Sequence, residues 1–156
     1  MAGIKNNKLF TIIWLGLLTG TLDGLAAVLT HWSLGAAVIF KFIASGAFGK
    51  AAFDGGARMI LWGVFFHYLI AFSFSAVFFL AYPRVKSILK NVCIIIPIYA
   101  IITWVITNLI IIPLSQIGWE APKMTSVLKE IGILVITIGL PVFLVADWYY
   151  KKAKRG

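Results

Sequence analysis

Four long apolar runs, at about residues 9–32, 57–82, 88–112 and 127–150, constrain the fold of this chain more than any other feature. Each run can cross a bilayer as a helix, which takes about 20 residues. Because 62% of the 156 residues are hydrophobic and only 12% are charged, the chain cannot cover a globular domain with polar surface. We therefore predict an all-α integral membrane protein in which residues 1–156 form a single domain with four transmembrane helices.

The connection between the first two runs contains a shorter apolar stretch, residues 34–48, which Lys41 interrupts. Its length of about 15 residues is short for a span and typical of an interfacial or re-entrant helix. A glycine-rich stretch, residues 45–56, follows, and glycine permits the positive φ angles that tight turns need. We therefore predict a re-entrant or interfacial segment between helices one and two, and both alternatives stay open.

The basic residues are grouped along the chain, and the grouping predicts the topology. Nine of the fourteen Lys and Arg residues lie within residues 1–8, 84–90 and 151–155. Four spans place these three regions on one side of the membrane, and regions rich in Lys and Arg stay in the cytoplasm. A fifth span at 34–48 would place two of them outside. We therefore predict a multi-pass protein of a bacterial inner membrane, with cytoplasmic N- and C-termini.

The first run carries an acid well inside the predicted span. Asp23 lies roughly 12–14 Å below the outer end of helix one, and His67 lies roughly 15 Å below the same surface in helix two. An unpaired charge at this depth costs at least about 2.5–3.5 kcal/mol, so the two side chains are expected to face each other. Asn108 lies roughly 6 Å from the outer end of helix three. We predict that Asp23, His67 and Asn108 line a polar cavity in the outer half of the bundle.

Gly16, Gly20 and Gly24 recur at four-residue spacing and share one face of helix one. Small residues on one face let a second helix approach backbone to backbone. The spacing fits a helix of the same chain, a second copy or another membrane protein. A structural reading of the polar residues also stays open, in which Asp23 and His67 only fix helix packing through hydrogen bonds.

Two groups of charged residues at four-residue spacing lie near the predicted membrane surfaces. Lys50, Asp54 and Arg58 flank the start of helix two, where the basic side chains are candidates for contact with a lipid headgroup or an anionic solute. Asp54 and Arg58 alternatively form a local ion pair on an interfacial hairpin. Asp147 and Lys151 are predicted to pair at headgroup level near the end of helix four.

Residues typical of catalytic and metal sites are scarce. Cys93 is the lone cysteine, and His31 and His67 do not have the HExxH spacing of a zinc enzyme. No serine has an adjacent base in a recognisable pattern. The net charge of +9 follows from the grouped basic residues and indicates attraction to the lipid bilayer, not to nucleic acid. We expect no cofactor or metal, and a non-catalytic protein is favoured.

Several short motifs carry a resemblance that extends over most of the chain. They are Gly20-Thr21-Leu22-Asp23-Gly24, Phe42-Ile43-Ala44-Ser45-Gly46, Gly49, Gly55-Gly56, His67, Asn108 and Pro113-Leu114-Ser115. In these motifs the chain resembles an uncharacterised family of small bacterial four-span integral membrane proteins. The resemblance implies a membrane location and four spans, and it implies no particular activity.

Two functions therefore compete at this stage. The first is binding or conduction of a proton, an ion or a small polar solute through the cavity of Asp23 and His67. The alternative is a non-catalytic structural or accessory membrane subunit, which assembles through its glycine face with a second copy or with another membrane protein. A hydrophilic pocket joined to one aqueous side favours the first, and a dry interior favours the second.

Overall fold

The computed structural model describes residues 7–118 and 121–153, and every regular element in this part of the chain is helical. The elements are α1 (Lys8–Thr30), α2 (Ala36–Phe48), α3 (Ala51–Asp54), α4 (Gly56–Ile88), α5 (Val92–Leu114) and α6 (Met124–Ala153). The four longest, α1, α4, α5 and α6, are long and apolar enough to cross a membrane. The prediction of an all-α fold with four such helices is confirmed at this level.

The four long helices run alternately up and down. Gly16 faces Phe72 whereas Gly24 faces His67, so α1 and α4 are antiparallel. Gly139 faces Ile96, and α6 returns along α5 in the same way. Lys8 and Ala153 therefore lie at one end of the bundle, which we call the terminal end. The opposite end, where α1 ends and α4 begins, is the distal end.

The glycine face of α1 is buried against α4 of the same chain. Gly16, Gly20 and Gly24 are all buried, and a methyl group on Gly20 would lie 2.7 Å from the ring of Tyr68. Ring side chains of α4 thus occupy the space that the missing side chains leave. The helix that the glycines were predicted to accept is α4, and the glycine face is not a free surface.

The structure differs from the sequence prediction at the end of the second apolar run, which was placed at about residue 82, directly before Pro83. Pro83 lies inside α4, which continues to Ile88. Proline costs a helix interior about 3 kcal/mol or more, but Val85 and Leu89 beyond it pack against the hydrophobic core. Arg84 and Lys86 consequently lie on the last turns of α4 and not in a loop, and α5 begins only at Val92.

An aromatic core fills the terminal half of the bundle. The rings of Phe78 and Tyr99 are 4.4 Å apart, and those of Phe79 and Tyr149 are 5.0 Å apart. Further core residues from three helices surround them, including Phe74, Tyr82, Ile95, Ile96, Val142, Phe143 and Ala146.

Asp147 connects α4 and α6 at the terminal end. The Tyr82 hydroxyl donates a hydrogen bond to its carboxylate, and Lys151 Nζ lies 2.6 Å from its second oxygen. The predicted Asp147 and Lys151 ion pair is therefore confirmed. Since Tyr82 directly precedes Pro83, this connection also helps to hold the helical turn that contains the proline.

The predicted segment at 34–48 is the helix α2, which packs against α4. Gly63 of α4 is buried, and a methyl group on it would overlap the carbonyl oxygen of Phe40. Phe40 packs against His67, and Phe48 packs against Trp62. Phe40 and Phe48 are about 12 Å apart along α2, so α2 is in contact with α4 over most of its length.

The C-terminal end of α2 is fixed by a turn and by a hydrogen bond. Gly49 and Gly56 have φ angles of +58° and +57°, which favour glycine, and they allow the chain to turn from α2 through α3 into α4. The amide of Gln116 donates to the Gly46 carbonyl over 3.0 Å. The 13 residues of α2 extend about 20 Å, less than the roughly 30 Å of a hydrocarbon core.

We predict that Gly63→Ala lowers the melting temperature of the purified protein, whereas Gly132→Ala does not. Alanine favours a helix over glycine by about 1 kcal/mol at either position. A methyl group at Gly132 meets nothing within 4 Å, but at Gly63 it meets backbone that cannot rotate away. The net loss at Gly63 is expected to be about 1–3 kcal/mol. Equal melting temperatures of the two variants would contradict the docking of α2 on α4.

Candidate functional site

A cavity of about 320 Å³ lies in the distal half of the bundle, at the lower end of the range for small-molecule sites, about 300–1,000 Å³. Each long helix lines it with one face, as the spacing of Asp23, Ala27, Thr30 and His31 on α1 illustrates. Its polar lining residues are Asp23, Thr30, His31, His67, Thr103, Thr107, Asn108, Ser126, Lys129 and Glu130.

The three residues that the sequence analysis assigned to a cavity all line this one. Asp23 comes from α1, His67 from α4 and Asn108 from α5. None of the three is fully exposed or fully buried, as expected for side chains that line a cavity. Each of the three side chains hydrogen-bonds to a residue other than these three. The partners are Thr137 for Asp23, Gly20 for His67 and Trp104 for Asn108.

Asp23 is bound by α6 and not by the second long helix. The Thr137 hydroxyl lies 3.0 Å from Asp23 Oδ1, and it also lies 3.0 Å from the Ile133 carbonyl oxygen of its own helix. Asp23 is close enough to His67 for an electrostatic interaction, but the described residues contain no Asp23 and His67 ion pair within 4 Å. The first and last long helices therefore meet at the acid.

His67 is held by the backbone of α1. Its Nε2 atom lies 2.7 Å from the Gly20 carbonyl oxygen. Because a carbonyl only accepts hydrogen bonds, Nε2 must carry a hydrogen. A methyl group on Gly24 would lie 3.1 Å from Nε2. The glycine face thus makes the room that brings the imidazole to this carbonyl.

Two π-helical segments border the cavity. One is Thr107–Ile111 of α5, which contains Asn108, and the other is Val135–Gly139 of α6, which contains Thr137. A π-helical turn inserts an extra residue and rotates the side chains that follow, and such turns are frequent at functional sites. Here they place a polar side chain of each helix toward the centre of the bundle.

Glu130 is a cavity residue that the sequence analysis missed. Its carboxylate accepts a hydrogen bond of 2.7 Å from the Trp104 indole, and the Asn108 amide donates to the Trp104 carbonyl over 3.2 Å. Glu130 lies near the start of an apolar run, where an acid is easily taken for an interfacial residue. The signal was its spacing from Ser126 and Thr137, which puts all three on one face of α6.

The cavity ends at the level of Phe74, Thr103 and Ile138, and the aromatic core lies beyond them. The Thr103 hydroxyl is buried there and has no hydrogen-bond partner of ordinary geometry among the described residues. Tyr99 is its polar neighbour, and the Tyr99 hydroxyl donates to the Phe74 carbonyl over 2.6 Å. At the other side, His31 and Lys129 are exposed and mark the mouth.

The charged residues of the glycine-rich connection lie apart from this cavity. Lys50, Asp54 and Arg58 are exposed, and none of them is among its lining residues. Asp54 and Arg58 form no ion pair in the described part of the chain. Lys41, the charged residue within the apolar stretch 34–48, donates to the Phe53 carbonyl over 2.8 Å. Contact of Lys50 or Arg58 with a headgroup stays a prediction.

We predict that Thr137→Val destabilises the protein by roughly 1–2 kcal/mol, because it removes the one hydrogen bond that the described residues make to Asp23. Thr137→Ser keeps the hydroxyl and is the matched control, which is expected to melt close to the unchanged protein. The measurement is thermal unfolding in detergent at fixed pH. Valine and serine variants of equal stability would show that this hydrogen bond does not hold α1 to α6.

Comparison of the chain with protein-family models, with curated proteins and with solved structures gives no match. The resemblance in the short motifs therefore stays a prediction, and the assignment of a role depends on the geometry of the cavity.

Proposed function

We propose that this protein is a membrane protein that binds a small polar or charged solute in the distal cavity. Asp23, His67, Asn108 and Glu130 are its polar binding groups. One observation supports this proposal above the others. Side chains of all four long helices converge on a space of about 320 Å³ that reaches the exposed residues His31 and Lys129. Ionisable groups at membrane depth are expensive and are typical of ligand or ion pathways.

Binding is favoured over conduction by the shape of the cavity. Phe74 and Ile138 close it on the side of the terminal end, and the buried rings of Phe78, Phe79 and Tyr99 lie behind them. A conducting path needs polar groups along its whole length, since each desolvated ion or solute must exchange its contacts with water. The arrangement therefore supports a site that is reached from one side.

The alternative of a subunit that assembles through its glycine face loses its main support. Gly16, Gly20 and Gly24 are buried against α4, so a second copy or another membrane protein reaches them only after α1 and α4 separate. The many apolar side chains on the outer surface are those that a bilayer covers, and they single out no partner.

The proposed location is a bacterial inner membrane, with the terminal end in the cytoplasm and the distal end outside. Lys8, Arg84, Lys86, Lys90, Lys151 and Lys152 support this orientation because they lie at the ends of the long helices on one side. Residues Lys5, Lys154 and Arg155 lie outside the described residues. In this orientation α2 lies at the outer interface and packs against the distal half of α4.

Labelling of cysteines tests whether water reaches the cavity. In a Cys93→Ala background, we predict that Ala27→Cys reacts with a charged, water-soluble thiol reagent and that Leu25→Cys does not. Ala27 lines the cavity, whereas Leu25 is two residues away on the outer face of the same helix. A thiol reacts as the thiolate, which requires water. An unreactive Ala27→Cys in folded protein would mean a dry interior and would contradict a solute-binding site.

The orientation has its own test. Cys93 is exposed near the start of α5, at the terminal end. In intact spheroplasts, an impermeant thiol reagent is expected to leave Cys93 unlabelled until the membrane is opened. Lys50→Cys in the Cys93→Ala background lies at the distal end and is expected to be labelled at once. The opposite pattern would reverse the proposed topology.

A further inference from the structure

The hydrogen bonds around Asp23 are compatible with a proton on its carboxyl group. The Thr137 oxygen lies 3.0 Å from Asp23 Oδ1 and 3.0 Å from the Ile133 carbonyl oxygen. If Asp23 is ionised, both neighbours are acceptors and share the single hydrogen of the hydroxyl, as the two backbone carbonyls beside the Thr30 hydroxyl do. If Asp23 is a carboxylic acid, it donates to the Thr137 oxygen, and the Thr137 hydroxyl donates to the carbonyl. This geometry therefore fits a proton on Asp23.

The cavity contains two acids and no cation paired with either. Asp23 and Glu130 both line it. Within residues 7–118 and 121–153, the one ion pair joins Asp147 and Lys151 at the opposite end of the bundle. The hydrogen-bond partners of the two acids are neutral groups instead, Thr137 for Asp23 and Trp104 for Glu130. A proton or a bound cation is then the natural counter-charge for each acid.

Three titratable or cationic side chains, from α1, α4 and α6, line the cavity together with the acids. Each of them either makes a hydrogen bond of its own or lies exposed at the mouth of the cavity. His67 of α4 donates through Nε2 to Gly20, and His31 of α1 bonds through Nδ1 to Thr30 and Ala27. Lys129 of α6 is exposed. The lining residues of α5 are uncharged. His67 is close enough to Asp23 for an electrostatic interaction, but among the described residues no ion pair within 4 Å joins them.

The remaining walls of the cavity are apolar. Phe74 and Trp104 supply aromatic rings, and Ile70, Ile133, Leu134 and Ile138 supply aliphatic surface. Aromatic faces attract cations, and aliphatic walls favour a hydrocarbon body over a sugar or a hydrated metal ion. The volume of about 320 Å³ also exceeds the needs of a bare ion and suits a compact organic molecule.

We infer that the ligand of this cavity is a small organic cation with an apolar body, of the aryl-alkylamine class, which replaces a proton on Asp23. The inference rests on the proposed function and names its ligand class. The exchange is balanced. The O–H bond of the Asp23 acid breaks, the ammonium group pairs with the resulting carboxylate, and one proton leaves to the solution at the mouth.

Calorimetric titration of the purified full-length protein tests this exchange. The ligands are three aryl-alkylamines: benzylamine, phenethylamine and 3-phenylpropylamine. Benzyl alcohol and phenylacetate are controls that lack the positive charge, and methylammonium lacks the apolar body. We expect the amines to bind in preference to every control. Titration in two buffers of different ionisation enthalpy is expected to reveal proton release, of up to about one proton per amine.

Substitution of two acids tests whether amine binding depends on Asp23. Asp23→Asn is expected to weaken amine binding by at least about tenfold, the loss that one charged hydrogen bond carries. Asp54→Asn changes an exposed acid outside the cavity and is expected to bind as the unchanged protein does. Because the buffer comparison uses the unchanged protein, the test remains decisive even if Asp23→Asn does not fold.

The inference is overturned if none of the three amines binds, if benzyl alcohol or phenylacetate binds as well as they do, or if amine binding releases no proton. Unchanged amine binding by Asp23→Asn also overturns it. These failures differ from a failure of the proposed function. Reactive Ala27→Cys together with binding of phenylacetate leaves a solute site with the wrong ligand class, whereas an unreactive Ala27→Cys removes the site itself.

Discussion

The close contact between α1 and α4 is the interaction on which both the fold and the candidate site depend. Gly20 and Gly24 have no side chains, so the His67 ring reaches the α1 backbone and donates to the Gly20 carbonyl. The same contact sets Asp23, less than one turn further along α1, at the level of that ring. In lipid there is little hydrophobic force between helices, and close packing with interhelical hydrogen bonds must hold them together. The contact that packs α1 against α4 therefore also positions the polar side chains of the site.

The two halves of the bundle differ, because the terminal half is closely packed and the distal half contains the cavity. In the terminal half, large rings from α4, α5 and α6 interlock, and dispersion contacts hold the helices together. In the distal half, the contact of α2 with α4 and the π-helical turns of α5 and α6 replace continuous packing. A cavity is tolerated at one end because the other end is well packed. The π-helical turns also explain how Asn108 and Thr137 point inward from otherwise apolar helices.

The sequence predicts the depth of a residue in the membrane better than it predicts which helices are neighbours. Helical rise alone was enough to place Asp23 and His67 at one depth, and the four-residue spacing was enough to pair Asp147 with Lys151. The sequence did not show which helices are neighbours, so the bond from Thr137 to Asp23 between the last and first long helices was missed. It also failed at Pro83, where core packing of the next turns outweighs the local cost of proline.

One acid that holds either a proton or an organic cation links the binding of the two. By thermodynamic linkage, if binding of the cation weakens binding of the proton, then binding of the proton weakens binding of the cation by the same factor. The Thr137 hydroxyl fits both states, because it accepts from the neutral acid while it donates to the Ile133 carbonyl, and it turns its hydrogen toward the carboxylate when Asp23 is ionised. His67 keeps its Nε2 hydrogen on Gly20 throughout. The exchange therefore needs the rotation of one hydroxyl and leaves the contact of α1 with α4 intact.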